Sequence, residues 1–344
     1  MNKVLYIYQN YTNDYSSASL SILKALKKIK EINIKEFEMK PISYNNNVNR
    51  IVNRLPFLRS INIKKQNSRF QEILKKDNYD FLFVMKGTDI KTQTLKLIKD
   101  ENPSLKLICF NPDDPFNEAS SNSDIVSSIP LYDYYCIWTR HLDYQLREAG
   151  ANEIIYLPFG VDNEIIYPVD AEFQYDISFI GNGDTERHQL VKALNDEIVK
   201  KNLKFKVHIF GNNWHITSKQ VVFHGQRTGI ELLKTISASK INLNLLRKQN
   251  KNSINMRTFE IPAANGFMLH EASEEAKMFF IDNEEVVFFT SVSDLVNKCD
   301  FYLSNEVMLN QVRKNGHENI SINDYSYEHL IKNKLRFLSK VKED

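Results

Sequence analysis

The sequence predicts an α/β protein made of two parallel-sheet domains. Short, β-rich apolar runs alternate with longer stretches of helical periodicity almost from end to end, the pattern of βαβ units. The chain has 344 residues, more than one core usually organises and a comfortable length for two domains. Between Pro158 and Pro168 both periodicities lapse, and the alternation restarts at Ile177.

In order along the first half, Val4–Tyr8, Ile34–Glu38, Phe81–Met85, Leu107–Phe110, Tyr134–Trp138 and Ile154–Leu157 read as strands, being short and rich in the β-branched and aromatic residues that fit a pleated surface. Helical patterns separate them, clearest at Ser17–Lys30 and Lys91–Asp100. Asn45-Asn-Asn47 reads as a loop. Pro158-Phe-Gly-Val-Asp-Asn and Tyr167-Pro-Val-Asp170 carry turn chemistry and form the expected hinge. Beyond it, strands are expected at Ile177–Ile180, Lys206–Phe210, Val221–Phe223, Ile241–Leu246, Phe267–His270 and Val286–Phe288. The accompanying helices are expected at Arg187–Lys200, Thr228–Ser237, Ser293–Leu303 and Glu306–Asn315. The tail from Tyr327 to Val341 puts Leu330, Ile331, Leu335, Leu338 and Val341 on one helical stripe. The expected divisions are therefore 1–165, 170–322 and a terminal helix within 323–344.

Composition narrows the function classes. Apolar residues make up 42% and charged residues 26%, as in soluble globular proteins, and no run approaches the roughly 20 apolar residues of a membrane span. Met1-Asn-Lys leads straight into the first strand with no secretory h-region, so cytoplasmic residence is expected. A formal charge of +2 gives no general attraction to nucleic acid, and none is expected as a partner. Cys109, Cys136 and Cys299 are isolated in apolar runs, the setting of buried thiols, and the eight histidines show no His-x-x-x-His spacing. No metal site is expected.

In open parallel sheets, ligands bind beyond the carboxyl ends of the strands. The residues there are polar: Gln9-Asn10, Lys86-Gly87, Asn111 to Asp114 and Thr139-Arg140 in the first half, and Gly181 to Asp184, Gly211 to Asn213, His224-Gly225 and Arg247-Lys248 in the second. Gly181-Asn182-Gly183 opens a helix directly after a strand, but Glu186 stands where a dinucleotide fingerprint requires its third glycine. The loop either cradles a phosphate with its N–H groups, helped by Arg187, or merely makes a tight turn beside a solvated arginine. Arg247 and Lys248 are either phosphate partners or ordinary strand ends.

The most informative stretch runs from Asn252 to Glu271. A helix starting near Asn252 or Ser253 would offer N–H groups to an anion, with Arg257 adding a forked cation and Glu260 accepting two hydroxyls. Being three residues apart, Arg257 and Glu260 are also placed to pair with each other. The run Arg257-Thr-Phe-Glu260-Ile-Pro-Ala-Ala-Asn-Gly266 resembles the corresponding segment of glycosyltransferases of the GT-B architecture, in particular the spore-maturation-protein-like (CgeB-like) group. Tyr175 to Gly181, Glu186-Arg187, Ser239 to Asn244, Glu284 to Phe288 and Tyr325-Ser-Tyr327 resemble its C-terminal half, and Leu157 to Asp162 its interdomain junction. The resemblance spans residues 154–338; earlier, only Phe83 to Gly87 and Asn111 to Pro115 are suggestive.

The resemblance implies two Rossmann-like parallel-sheet domains facing across a cleft, with the last helix crossing back to the first. It implies a nucleotide-sugar donor on Gly181, Asn182, Gly183, Arg187, Arg247, Asn252, Arg257 and Glu260, with Glu260 on the ribose. Many relatives carry a second glutamate where this chain has Asn252. The expected activity is transfer of a hexosyl or deoxyhexosyl group to a glycan, glycolipid or glycoprotein acceptor. Lys86 and Asp113 are first-domain candidates for acceptor contact or proton transfer, although Asn-Pro-Asp-Asp-Pro is also a strong turn former. No Asp-x-Asp occurs, so arginines and N–H groups rather than a metal are expected to meet the leaving diphosphate. Alternative readings are a nucleotide-sugar epimerase of the same shape and a two-lobed, non-enzymatic sugar-binding protein. Residues 40–76 hold nine Lys or Arg against one Glu. Within them, 50–65 mixes basic and large apolar groups and reads either as a contact with the inner membrane face or as a core helix with solvated lysines, interrupted at Pro56.

Overall fold

The computed structural model describes residues 1–9, 18–39, 56–216 and 218–339, so Asn10, the Asn45–Asn47 loop, positions 50–55 and Val341 lie outside the described residues. The chain divides into two compact units, Met1–Pro158 with Tyr327–Asp344, and Phe159–Ser326. Each is built on a six-stranded parallel sheet, which is the predicted α/β class.

In the first unit, β1 (Asn2–Tyr8), β2 (Ile32–Glu38), β3 (Phe81–Met85), β4 (Lys106–Asn111), β5 (Tyr134–Ile137) and β6 (Glu153–Tyr156) lie in the order β2-β1-β3-β4-β5-β6. Val4 stands between Ile34 and Phe81 in register, and the central strands are apolar on both faces because helices cover both. The helix Tyr327–Lys334 packs here: Leu330, Ile331, Leu335 and Leu338 join Tyr6, Phe83 and Phe110 in one core. The Asn2 side chain donates to the Leu338 carbonyl at 2.9 Å, and the Tyr134 and Phe337 rings stack at 4.0 Å. The terminal helix ends sooner than its stripe predicts, at Lys334, and a single 3-10 turn follows at Arg336–Leu338.

In the second unit, β7 (Tyr175–Ile180), β8 (Val207–Phe210), β9 (Val221–His224), β10 (Ser239–Asn244), β11 (Met268–Glu271) and β12 (Val287–Phe289) lie in the order β12-β11-β10-β7-β8-β9. Ile177, Phe179, Ile209, Leu243 and Leu269 bury one face against Val191, Leu194 and Ile198 of the Thr185–Lys200 helix and Leu295, Val296 and Cys299 of the Val292–Ser304 helix. All three cysteines are buried.

Pro56 is the first residue of the helix Pro56–Lys76, where the first turn needs no N–H; the residues before it, and with them the expected interruption, lie outside the described residues. Two local expectations are revised. The helix expected to stop at Asn315 continues from Glu306 to Asn323, ending at Asp324 in the left-handed region (φ 46°). Gly316, the residue after the expected end, lies buried inside it, where a Cβ would run into the Glu285 carbonyl oxygen. Finally, the helix expected near Asn252 starts at Arg257 and ends at Ala263. Asn255 sets that start: its side chain accepts the Thr258 amide at 3.1 Å, while the Thr258 hydroxyl accepts the Asn255 amide at 3.1 Å, a reciprocal cap.

Candidate functional site

Strand order determines where the second unit can bind a ligand. Connections leave β7 for β8 on one side, whereas β10 lies against β7 on the other, so the direction reverses between β7 and β10 and a crevice opens beyond their carboxyl ends. A pocket of about 260 Å³ lies at this end of the sheet, lined by Glu186, Arg187, Leu190, Leu246, Arg247, Lys248, Lys251 and Glu271. The start of the Thr185–Lys200 helix supplies the first three, the segment after β10 the next four, and the last residue of β11 the eighth.

Arg187 anchors this pocket. The sequence left open whether it is a solvated surface residue; it is 8% exposed. Its Nη2 donates to the Leu245 carbonyl at 2.7 Å and its Nη1 to the Asn182 carbonyl at 3.0 Å, and the guanidinium lies 5.1 Å from the centre of the Phe179 ring. Burial pulls its pKa down to about 10, with Arg247 pushing the same way and Asp184 and Glu271 opposing, so it stays cationic at neutral pH. Arg247 is half exposed and 3.7 Å from Asp184. Lys248 and Lys251 are exposed. Four cations and two carboxylates thus line one small concavity.

Two N–H groups of the glycine loop are spent inside the protein. The Gly181 amide donates to the Phe210 carbonyl and the Gly183 amide to the Asn212 carbonyl, both at 2.9 Å, so neither hydrogen is available as the loop is folded. The Asn182 side chain accepts the Asn212 amide. Gly183 is required by packing, since a Cβ would collide with the Asn213 carbonyl oxygen. Asp184 caps the helix by accepting the Arg187 amide at 3.0 Å.

Arg257 and Glu260 form an ion pair with each other, and Glu260 is 4% exposed rather than solvent-facing. The pair does not line the pocket, but Arg257 is near enough to bear on the charge of Arg187. Asn252 has a left-handed backbone (φ 63°), and its side chain accepts the Glu274 amide at 3.0 Å. A buried polar network holds the short helix. His270 Nδ1 lies 2.5 Å from the Glu271 carbonyl, which can only accept, so Nδ1 carries the proton and Nε2 accepts from the Thr258 hydroxyl at 2.9 Å. The same hydroxyl accepts from Asn244, which in turn accepts from Asn255. Burial lowers the His270 pKa to about 4, keeping the ring neutral.

In the first unit, Lys86 follows β3 and Asp113 follows β4, and the fold joins them in an ion pair at 2.6 Å. Lys86 has φ 61°, a conformation that costs a non-glycine residue energy. Asp113 stands in the expected turn, its amide bonded to the Asn111 side chain. The neighbouring Asp114 carboxyl is held above its usual range, first by burial and then by Asp113, while the Phe116 and Asn117 amides pull it down.

Sequence reasoning missed Glu271, Lys251 and Leu246 as pocket residues. The strand-end rule reaches Glu271 once β11 is extended to it. Among the described residues no group of three or more His, Cys, Asp or Glu side chains is placed to hold a metal ion, and no helix is long and apolar enough to cross a membrane.

Residues 187–336 match the protein family described as Glycosyl transferase-like. No curated protein matches the chain. Among solved structures, sucrose-phosphate synthase from Thermosynechococcus elongatus is 11% identical with a TM-score of 0.68, the match covering 98% of each chain. A glycosyltransferase from Rickettsia africae is 13% identical with a TM-score of 0.64, over 100% of this chain and 99% of that one. HepE from Anabaena, in complex with UDP-glucose, is 9% identical with a TM-score of 0.62, over 98% and 100%. The fold is that of GT-B glycosyltransferases, with two Rossmann-like parallel sheets.

Proposed function

We propose that the protein is a glycosyltransferase that moves a sugar from a nucleoside diphosphate sugar to an acceptor hydroxyl, with the donor held by the second unit. The observation that carries this reading is the convergence of Arg187, Arg247, Lys248 and Lys251 at the switch point, within a stretch that matches a glycosyl transferase-like family from residue 187 onward. As the bond to the anomeric carbon breaks, negative charge grows on the departing diphosphate. Cations gathered around one pocket stabilise that charge without a metal, the buried Arg187 most strongly. The Anabaena neighbour's complex with UDP-glucose makes uridine nucleotides the first probe. Glu260 would take the ribose hydroxyls, with Arg257 shared between it and the diphosphate. The proposed CgeB-like subtype rests on the Arg257–Gly266 segment together with Tyr175 to Gly181, Ser239 to Asn244 and Glu284 to Phe288.

On the acceptor side, Asp113 is the proposed base and Lys86, paired with it at 2.6 Å, the group that positions it. The acceptor is a glycan, a glycolipid or a glycoprotein. The membrane-surface reading of 50–65 is supported in its described part, where Phe57 (73%) and Ile61 (49%) are exposed on a helix beginning at Pro56 with Arg59, Lys64 and Lys65. Flotation with anionic vesicles, lost in a Phe57→Ser/Ile61→Ser variant, tests it.

The main test pairs a melting panel of nucleoside diphosphates and their sugars with a transfer assay on glycan acceptors. Stabilisation by sugar nucleotides with acceptor-dependent turnover is expected. Turnover without acceptor would indicate an epimerase, and stabilisation by free sugar alone a binding protein; either result refutes the proposal.

A further inference from the structure

One pocket residue works against a simple anion. Glu271 ends β11 inside the cationic pocket, close enough to Arg187 to oppose the lowering of its pKa. Its position is fixed at both ends. One carboxylate oxygen, Oε2, accepts the Leu246 amide at 3.0 Å, and its backbone carbonyl accepts from buried His270 at 2.5 Å. The Leu246 amide thus holds the Glu271 carboxylate in the pocket, and against a bare diphosphate its charge is repulsive. Hydroxyls beside the phosphate reverse that sign, because an ionised carboxylate is an acceptor with spare lone pairs and forms charge-assisted bonds.

We infer that Glu271 is a specificity-determining residue that accepts a hydroxyl of the donor's sugar, so that the pocket prefers a sugar nucleotide to the corresponding nucleoside diphosphate. The inference rests on the donor site proposed above. It also gives product release a physical basis: once the sugar has been transferred, the remaining diphosphate faces Glu271 with no hydroxyl between them.

Glu271→Gln tests this. The amide oxygen still accepts from Leu246, so the strand exit is retained, and unchanged melting without ligand confirms it. A melting panel of UDP-, GDP-, ADP- and dTDP-linked hexoses first identifies the sugar nucleotide that stabilises the wild type most. That compound and its bare nucleoside diphosphate are then titrated calorimetrically into both proteins. The expected result is a sugar nucleotide bound about tenfold more weakly by the variant, with the bare diphosphate bound as well as or better than by wild type. A ratio of the two affinities that does not change, whether both fall together or neither moves, overturns the inference while leaving the donor site standing. If no nucleoside diphosphate or sugar nucleotide binds the wild type, the donor site fails and the inference falls with it.

Discussion

Replacing Arg187 with methionine separates its structural from its functional role. Burial lowers the guanidinium pKa from 12.5 to about 10, so at neutral pH the charged side chain costs the folded state on the order of 3 kcal/mol. Methionine fills a similar volume and removes that cost, but it strips a donor from the Leu245 and Asn182 carbonyls, at roughly 1–3 kcal/mol each. The two effects largely offset each other, leaving a net change between a gain of about 1 and a loss of about 3 kcal/mol, measurable by urea denaturation. Binding has no such compensation. Loss of the anchoring cation should weaken a nucleoside diphosphate about tenfold to a hundredfold and leave the free nucleoside unaffected, by calorimetric titration of UDP and uridine. If UDP binds Arg187→Met as tightly as the wild type while stability falls, Arg187 only braces the loop and the pocket is not the diphosphate site.

Three further outcomes are expected. His270 has a folded pKa of about 4, below the usual 6.5, so its contribution is complete above about pH 6.5 and is lost as pH falls toward 4, by up to about 3 kcal/mol. Denaturation midpoints measured from pH 7.5 to 4.5 should show this slope, and a His270→Asn variant should flatten it. Transfer should survive excess EDTA, because four side chains can meet the leaving charge; activity lost to chelator and restored by a divalent metal would refute that account. Gly316→Ala should cost about 1–3 kcal/mol, since its Cβ meets the Glu285 carbonyl, and an unchanged melting temperature would show that the contact relaxes freely.

Most strands were legible from the sequence because a buried strand declares itself in four or five adjacent residues: Val4 to Tyr8 and Phe81 to Met85 need no distant partner to be read. The cations were legible too, Arg247 beyond a strand end and Arg187 in the first turn of the helix that follows one. Other features depended on contacts remote in sequence. The helix looks finished at Asn315 until the Glu285 carbonyl is seen against Gly316, and Asn252 looks like a helix start until its side chain is found on Glu274. Whether Arg187 is solvated or buried was decided by Leu245, 58 positions away, and Glu271 joined the pocket because β11 lies beside β10 and carries it to Leu246. Periodicity and turn chemistry act within a few residues and can be read locally. A binding pocket is made by the order in which strands lie side by side, and that order is set by the packing of the whole sheet.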